Sequence, residues 1–195
     1  MKSTAALTER MYTVAEYFEF EKNSEERYEY SNGNLIKMPG ELLPNITIAQ
    51  NCLVNLRFSL KNKNCMVYHH VAKLKVGLKK YRYPDVMVTC EKEPDNRIVQ
   101  FPSLIIEVLS DGTQKTDRND KLTEYRQIST LNYYILIEAE TVKVEIYSKE
   151  DQKWHYESFE NIDQSIHLPL LNTTLSLKDI YENIVFSGEQ KSDSI

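Results

Sequence analysis

The run Ser103-Leu-Ile-Ile-Glu-Val-Leu109 constrains this chain more than any other stretch, because it sets one carboxylate, Glu107, among strand-forming apolar residues. A run this short and this apolar is expected of a central strand covered on both faces. An unpaired carboxylate in such a strand costs several kcal/mol or takes up a proton. Glu107 therefore needs a cation, a hydrogen-bond donor or a metal ion. A second short apolar run, Pro84-Asp-Val-Met-Val-Thr-Cys90, repeats the pattern, with Asp85 opening it directly after Pro84. Carboxylates on neighbouring strands can share one divalent ion, and oxygen ligands with waters left in place suit Mg²⁺ or Mn²⁺. Spacing alone leaves another reading open: an Asp that caps a turn at a strand end, and a Glu paired with an internal Arg or Lys.

Lys121 tips the balance between these readings. Asp117, Lys121 and Tyr125 are spaced i, i+4 and i+8 and so share one face of a helix. That helix is predicted over 117–128 with Asp117 as its N-cap. It begins about ten residues after Glu107, close enough to fold back over the end of that strand. Lys121 would then place its ammonium near a metal-bound water or a scissile phosphate.

The rest of the chain reads as one domain over 1–186, followed by a polar tail, 187–195, expected to be disordered. Thr13-Val-Ala-Glu16 is a capping-box pattern that starts a short helix near Val14. Asn32-Gly33 between two alternating segments predicts a hairpin, with Tyr28 and Tyr30 on one face and Glu29 on the other. Ile46, Ala49, Leu53, Leu56 and Leu60 recur at helical spacing and predict a helix over 45–61. Strands are expected over 66–78 and 133–138. A hairpin of 142–148 with 153–159 and a last helix over 176–183 complete the pattern.

No apolar run reaches the roughly 18 residues of a membrane helix, and the N-terminus carries no signal-peptide pattern. Three widely spaced cysteines, Cys52, Cys65 and Cys90, favour reduced thiols and a cytoplasmic setting over a disulfide framework. The net charge of −5 is unevenly spread. From Arg57 to Arg82 there are eight basic and no acidic residues, which leaves the remainder at −13. Such a block can guide a phosphate backbone, although a block in sequence need not be a patch in space. Lys73, Lys75, Lys79, Lys80 and Arg82 are its candidate backbone contacts, without a base-reading role.

Several of these motifs together resemble a known family. Pro84-Asp85, Ile105-Ile-Glu-Val-Leu-Ser110, Asp117-Arg-Asn-Asp-Lys121 and the run from Lys121 to Glu138 are similar to the PD-(D/E)xK restriction-endonuclease-like superfamily. More narrowly they resemble its Uma-type branch, as does the hairpin sequence from Glu26 to Gly40. The resemblance spans residues 12 to 182. It implies an α/β (α+β) fold, a mixed β-sheet flanked by helices with hairpin additions at both ends. It also implies Mg²⁺ (or Mn²⁺) dependence and hydrolysis of phosphodiester bonds in nucleic acid, DNA in the first instance. Carried over by position, Asp85 and Glu107 would bind the metal, with the Val108 carbonyl as a further ligand. Leu109 stands where the superfamily lysine usually lies, and Lys121 matches the lysine that this branch places on the following helix. Glu29 matches a family Glu that would bind metal or hold Lys121. The chain departs from the branch at Ile46, often His, and at Tyr133, commonly Glu.

Other chemistries find less support. Cys65, His69, His70 and Cys90 match no standard zinc spacing. No nucleophile elbow, Walker A loop or dinucleotide fingerprint occurs. The departures at 46 and 133 and the acidic net charge suit an alternative function, a catalytically inactive nuclease-fold protein acting as a nucleic-acid-binding or assembly module. Edge strands and many tyrosines would suit a homodimer in either case.

Overall fold

The computed structural model describes residues 10–110, 112 and 114–186. The tail expected over 187–195 lies outside the described residues. Helix α1 (Val14–Lys22) starts as expected: the Thr13 hydroxyl accepts from the Glu16 N–H and the Glu16 carboxylate accepts from the Thr13 N–H. Strands β1 (Tyr28–Ser31) and β2 (Asn34–Lys37) form the expected hairpin. Asn32 and Gly33 both have positive φ, +49° and +97°, as a two-residue hairpin turn with right-handed strand twist requires. Helix α2 (Leu43–Ser59) starts two residues earlier than the periodicity indicates, because Pro44 is well tolerated in a first turn.

The run over 66–78 is not one strand. It breaks into β3 (Met66–His69) and β4 (Lys73–Lys75), where the Ala72 N–H turns back to the His69 carbonyl. Four strands escaped the sequence reading: late in the chain β12 (Ser165–Leu168) and β13 (Thr173–Ser176), and here β5 (Lys80–Arg82) and β7 (Ile98–Val99). Between and after them come β6 (Val86–Thr89) and β8 (Pro102–Leu109), the two apolar runs.

The helix expected over 117–128 also differs. A helical segment runs from α3 (Gln114–Thr116) through a π-helical turn (Asp117–Lys121) to α4 (Leu122–Tyr125). Asp117 therefore lies inside the segment and is not its N-cap. The remaining elements are β9 (Tyr133–Glu138), β10 (Val144–Glu150), β11 (Lys153–Phe159), β12 (Ser165–Leu168), a 3₁₀ turn (Pro169–Leu171), β13 (Thr173–Ser176) and α5 (Leu177–Ile180).

The strands form a six-stranded sheet in the order β11-β10-β9-β8-β6-β3, a five-stranded sheet in the order β2-β1-β5-β4-β7, and the pair β12-β13. The six-stranded sheet is mixed: β8 and β9 are parallel and its other neighbours antiparallel. Both of its faces are covered. Val86, Val88, Leu104, Ile106, Ile135 and Ile137 pack with Ile48, Cys52 and Leu56 of α2 and with Leu177 and Ile180 of α5. Met87, Ile105, Leu109, Tyr134 and Leu136 pack on the opposite face with Leu74 of β4 and Tyr125 of α4. Two-sided burial is why β6 and β8 read as apolar runs without alternation. A third cluster, Tyr17, Tyr28, Tyr30, Leu35 and Tyr81, seats α1 on the five-stranded sheet.

Cys65 and Cys90 are joined in a disulfide, which corrects the expectation of three reduced thiols. Their distance in sequence hid the pairing of β3 with β6. Met66 faces Thr89 in that antiparallel register, so 65 and 90 are the next facing pair. Cys52 keeps a free, buried thiol, which burial pushes up to about 12. Among the described residues no helix is long and apolar enough to cross a membrane.

Candidate active site

The ladder between β6 and β8 places both carboxylates. Val86 faces Ile106, so one further step of the register sets Asp85 opposite Glu107. Side chains alternate along β8, with Ile106 on the α2 side and Ile105 and Leu109 on the α4 side. Glu107 shares the latter side, beneath the helical segment that carries Asp117, Lys121 and Tyr125. That segment brings the three residues together as their spacing predicts. Lys121 Nζ lies 3.0 Å from Glu107 Oε1 and 2.8 Å from Asp117 Oδ1, and the Tyr125 hydroxyl donates to Glu107 Oε1 at 2.9 Å. The π turn holds the segment in place from outside this cluster too, since the Tyr134 hydroxyl donates to the Asp117 carbonyl at 3.1 Å. Asp85 Oδ2 accepts from the Val108 N–H at 2.6 Å, which ties the two strand ends together.

Glu29 reaches the same place from β1. Its Oε1 lies 3.9 Å from Lys121 Nζ, and its Oε2 accepts from Arg82 Nη1 at 2.7 Å. Glu29, Asp85, Glu107, Val108, Asp117 and Lys121 all line one cleft of about 150 Å³, whose mouth is formed by the stretch from Met38 to Leu42. Asn45 closes one side, its amide donating to the Leu109 carbonyl at 3.0 Å.

Negative charge outweighs positive charge in this cleft. Burial pushes the Asp85 carboxyl up to about 7, with Glu41 and Asp117 adding to the rise and the Val108 N–H and Lys121 opposing it. Burial also raises Glu107 well above the ordinary range, against the pull of Lys121. Burial works against the Lys121 charge, yet Glu107, Glu29 and Asp117 outweigh it and hold the group protonated. Asp117 Oδ1 is buried without a hydrogen bond; it forms an ion pair with Lys121 but lies off the donor direction.

An all-oxygen donor set with uncompensated charge fits a hard divalent cation. Among the described residues no three His, Cys, Asp or Glu side chains are gathered into a cage. Mg²⁺ does not need one, because it keeps several waters and takes one or two carboxylates.

The basic stretch does not come together as a phosphate-facing surface. Lys73 is buried and pairs with Glu21, and Arg82 is buried and pairs with Glu29 and Glu124. Lys80 pairs with Glu124 at 2.7 Å. Lys75 is half-buried and Lys79 exposed. Tyr133, where the branch commonly has Glu, faces away from this chemistry, its hydroxyl accepting from the Leu170 N–H. Asp117 and Glu124 were missed as site residues. The signal was available for both, since they lie four residues before and three after Lys121.

A crystal structure of a protein from Anabaena variabilis, titled as a "putative nuclease belonging to DUF820", superposes with a TM-score of 0.75 at 19% identity, covering 89% of this chain and 99% of that one. The architecture is thus a mixed α+β fold of the nuclease type, and the protein is of the restriction-endonuclease-like class. Residues 14–178 match the Uma2 family, described as "Putative restriction endonuclease", and the chain belongs to that family. Two uncharacterized proteins of Synechocystis sp. are related over most of their length. One is 26% identical over 175 residues, covering 88% of this chain and 92% of the relative. The other is 33% identical over 153 residues, covering 75% and 86%.

Proposed function

We propose that this protein is a divalent-cation-dependent endonuclease that hydrolyses phosphodiester bonds, with DNA as its substrate. The observation that carries the proposal is the meeting of Lys121 with Glu107, beside Asp85, on the floor of one cleft. Asp85 and Glu107 would hold the Mg²⁺ or Mn²⁺ ion. When bound, that ion would supply Lewis-acid activation of the phosphodiester and of the attacking water.

The chain's own residues do the rest. Lys121 is kept charged by its carboxylate neighbours, so it serves as a fixed positive charge toward a phosphoryl oxygen rather than as a proton acceptor. Glu107 and Asp117 fix its position from two sides. The Val108 N–H and the Tyr125 hydroxyl fix the carboxylates in turn. Because the ammonium is held in place before substrate arrives, it needs no reorganisation as charge builds on the phosphate. Of the five candidate backbone contacts, Lys75 and Lys79 are left to meet the nucleic acid.

The test is cleavage of plasmid and single-stranded DNA by purified protein with Mg²⁺, Mn²⁺ or EDTA, beside Glu107→Ala prepared in parallel. Metal-dependent cleavage by the wild type that is absent from Glu107→Ala is expected. Equal cleavage by both would assign the activity to a contaminant. No cleavage by either would favour the binding-module alternative.

A further inference from the structure

Lys121 sits near the inner end of a buried row of alternating charges. From the surface inward the row is Lys80, Glu124, Arg82, Glu29, Lys121 and Glu107. Successive contacts are 2.7 Å from Lys80 to Glu124, 2.9 Å from Glu124 to Arg82, 2.7 Å from Arg82 to Glu29, 3.9 Å from Glu29 to Lys121 and 3.0 Å from Lys121 to Glu107. Arg82 uses all three of its nitrogens. Nε and Nη2 fork onto the Glu124 carboxylate at 3.0 and 2.9 Å, and Nη1 reaches Glu29. A planar guanidinium can fork onto one carboxylate with two parallel bonds while reaching a second, a geometry an ammonium lacks.

The backbone explains how the row is assembled. Tyr30 faces Tyr81 across β1 and β5, so the next step of the register sets Glu29 beside Arg82. Glu124 and Lys121 lie three residues apart on the helical segment. That segment is therefore clamped to the five-stranded sheet twice, through Glu124 on Arg82 and through Lys121 on Glu29. Arg82 does not line the cleft, and each of its three nitrogens already holds a carboxylate, so it does not touch the phosphate itself.

Burying this many charges is a poor route to stability. Well-packed apolar residues would do as well or better. A row of this kind fixes geometry, and next to its inner end, paired with Glu107, is the lysine that faces the phosphate. We infer that Arg82 and Glu124 are positioning residues for Lys121, acting through Glu29. This rests on the nuclease reading above and extends it to residues outside the cleft.

The experiment uses the full chain with Arg82→Met and Glu124→Gln, the second being the milder change should the first fail to fold. Two readouts are taken. In metal-dependent cleavage, kcat is expected to fall roughly ten- to hundredfold with KM and Mn²⁺ affinity retained, as when the supports of a functional group are removed. The NMR signal of the Lys121 side chain, assigned with Lys121→Arg in protein carrying ¹³C-labelled lysine, is expected to stand apart from the exposed lysines in the wild type and to move toward them in both variants. An unshifted Lys121 signal would overturn the inference whether or not the protein cleaves DNA. Full kcat in folded Glu124→Gln would also overturn it while leaving the nuclease reading intact. Absence of cleavage by the wild type, with a Lys121 signal that moves in both variants, would remove the nuclease reading and keep the positioning.

Discussion

Lys121→Met should melt at a much lower temperature than the wild type at pH 8, and the gap should narrow toward pH 5. The substitution keeps most of the side-chain volume and removes the ammonium that faces Glu107, Asp117 and Glu29. Leaving buried carboxylates without their cation costs about 3–5 kcal/mol. The direction with pH follows from Glu107. Burial already raises its carboxyl above the unfolded value, and Lys121 is what restrains that rise. Without Lys121 the group rises further. A carboxylate raised on folding contributes stability that is fully present below its unfolded value and is lost as pH climbs through its folded one. The variant therefore loses most toward alkaline pH, where Glu107 must ionise, and least toward acid pH, where it stays protonated. Metal-free thermal or urea unfolding across that range measures the gap. The same variant should lose metal-dependent cleavage, because the fixed positive charge facing the phosphate is gone.

Asp85→Asn should do the opposite to stability and the same to activity. The Asp85 carboxyl is pushed up from 3.8 to about 7 by burial. By the same sign rule, its contribution to stability is present below about pH 4 and disappears as pH rises through 7. At pH 8 the metal-free wild type carries the ionised group at a cost on the order of 2–4 kcal/mol. Asparagine removes that cost and keeps an oxygen for the Val108 N–H. The variant is thus expected to be more stable than the wild type at pH 8 without metal, and equal to it near pH 4. Addition of Mg²⁺ should raise the melting temperature of the wild type and leave that of Asp85→Asn unchanged. A site that trades stability for a divalent ion predicts this crossing, and a structural turn-capping Asp does not.

The central strands and the site floor were legible because their signals are local. Two-sided burial writes β6 and β8 as apolar runs, and a carboxylate in such a run is visible at once. The i, i+4, i+8 spacing of Asp117, Lys121 and Tyr125 survives the π turn, since Lys121 and Tyr125 both reach Glu107 and Asp117 pairs with Lys121. What stayed hidden depends on which strand meets which. Lys80-Tyr-Arg82 looks like part of a lysine-rich turn, yet as β5 it buries Tyr81 against Tyr30 and sends Lys80 and Arg82 to Glu124. Part of a block of like charges in sequence, Lys73, Lys80 and Arg82, therefore became ion pairs instead of a surface patch. The same limit applies to Lys73, drawn to Glu21 of α1, and to Cys65 and Cys90, made neighbours by the β3–β6 ladder. The break between β3 and β4 was illegible for a related reason. The alternation continues through it while the chain changes sheets.

Calorimetric titration of Mn²⁺ into the metal-free protein at pH 8 tests the central claim most directly, because it asks of Asp85 and Glu107 only what their placement requires. One binding event in the wild type, lost in both Asp85→Asn and Glu107→Gln and kept in Lys75→Ala, is the predicted result. No binding by the wild type, or undiminished binding by the two carboxylate variants, would contradict the account.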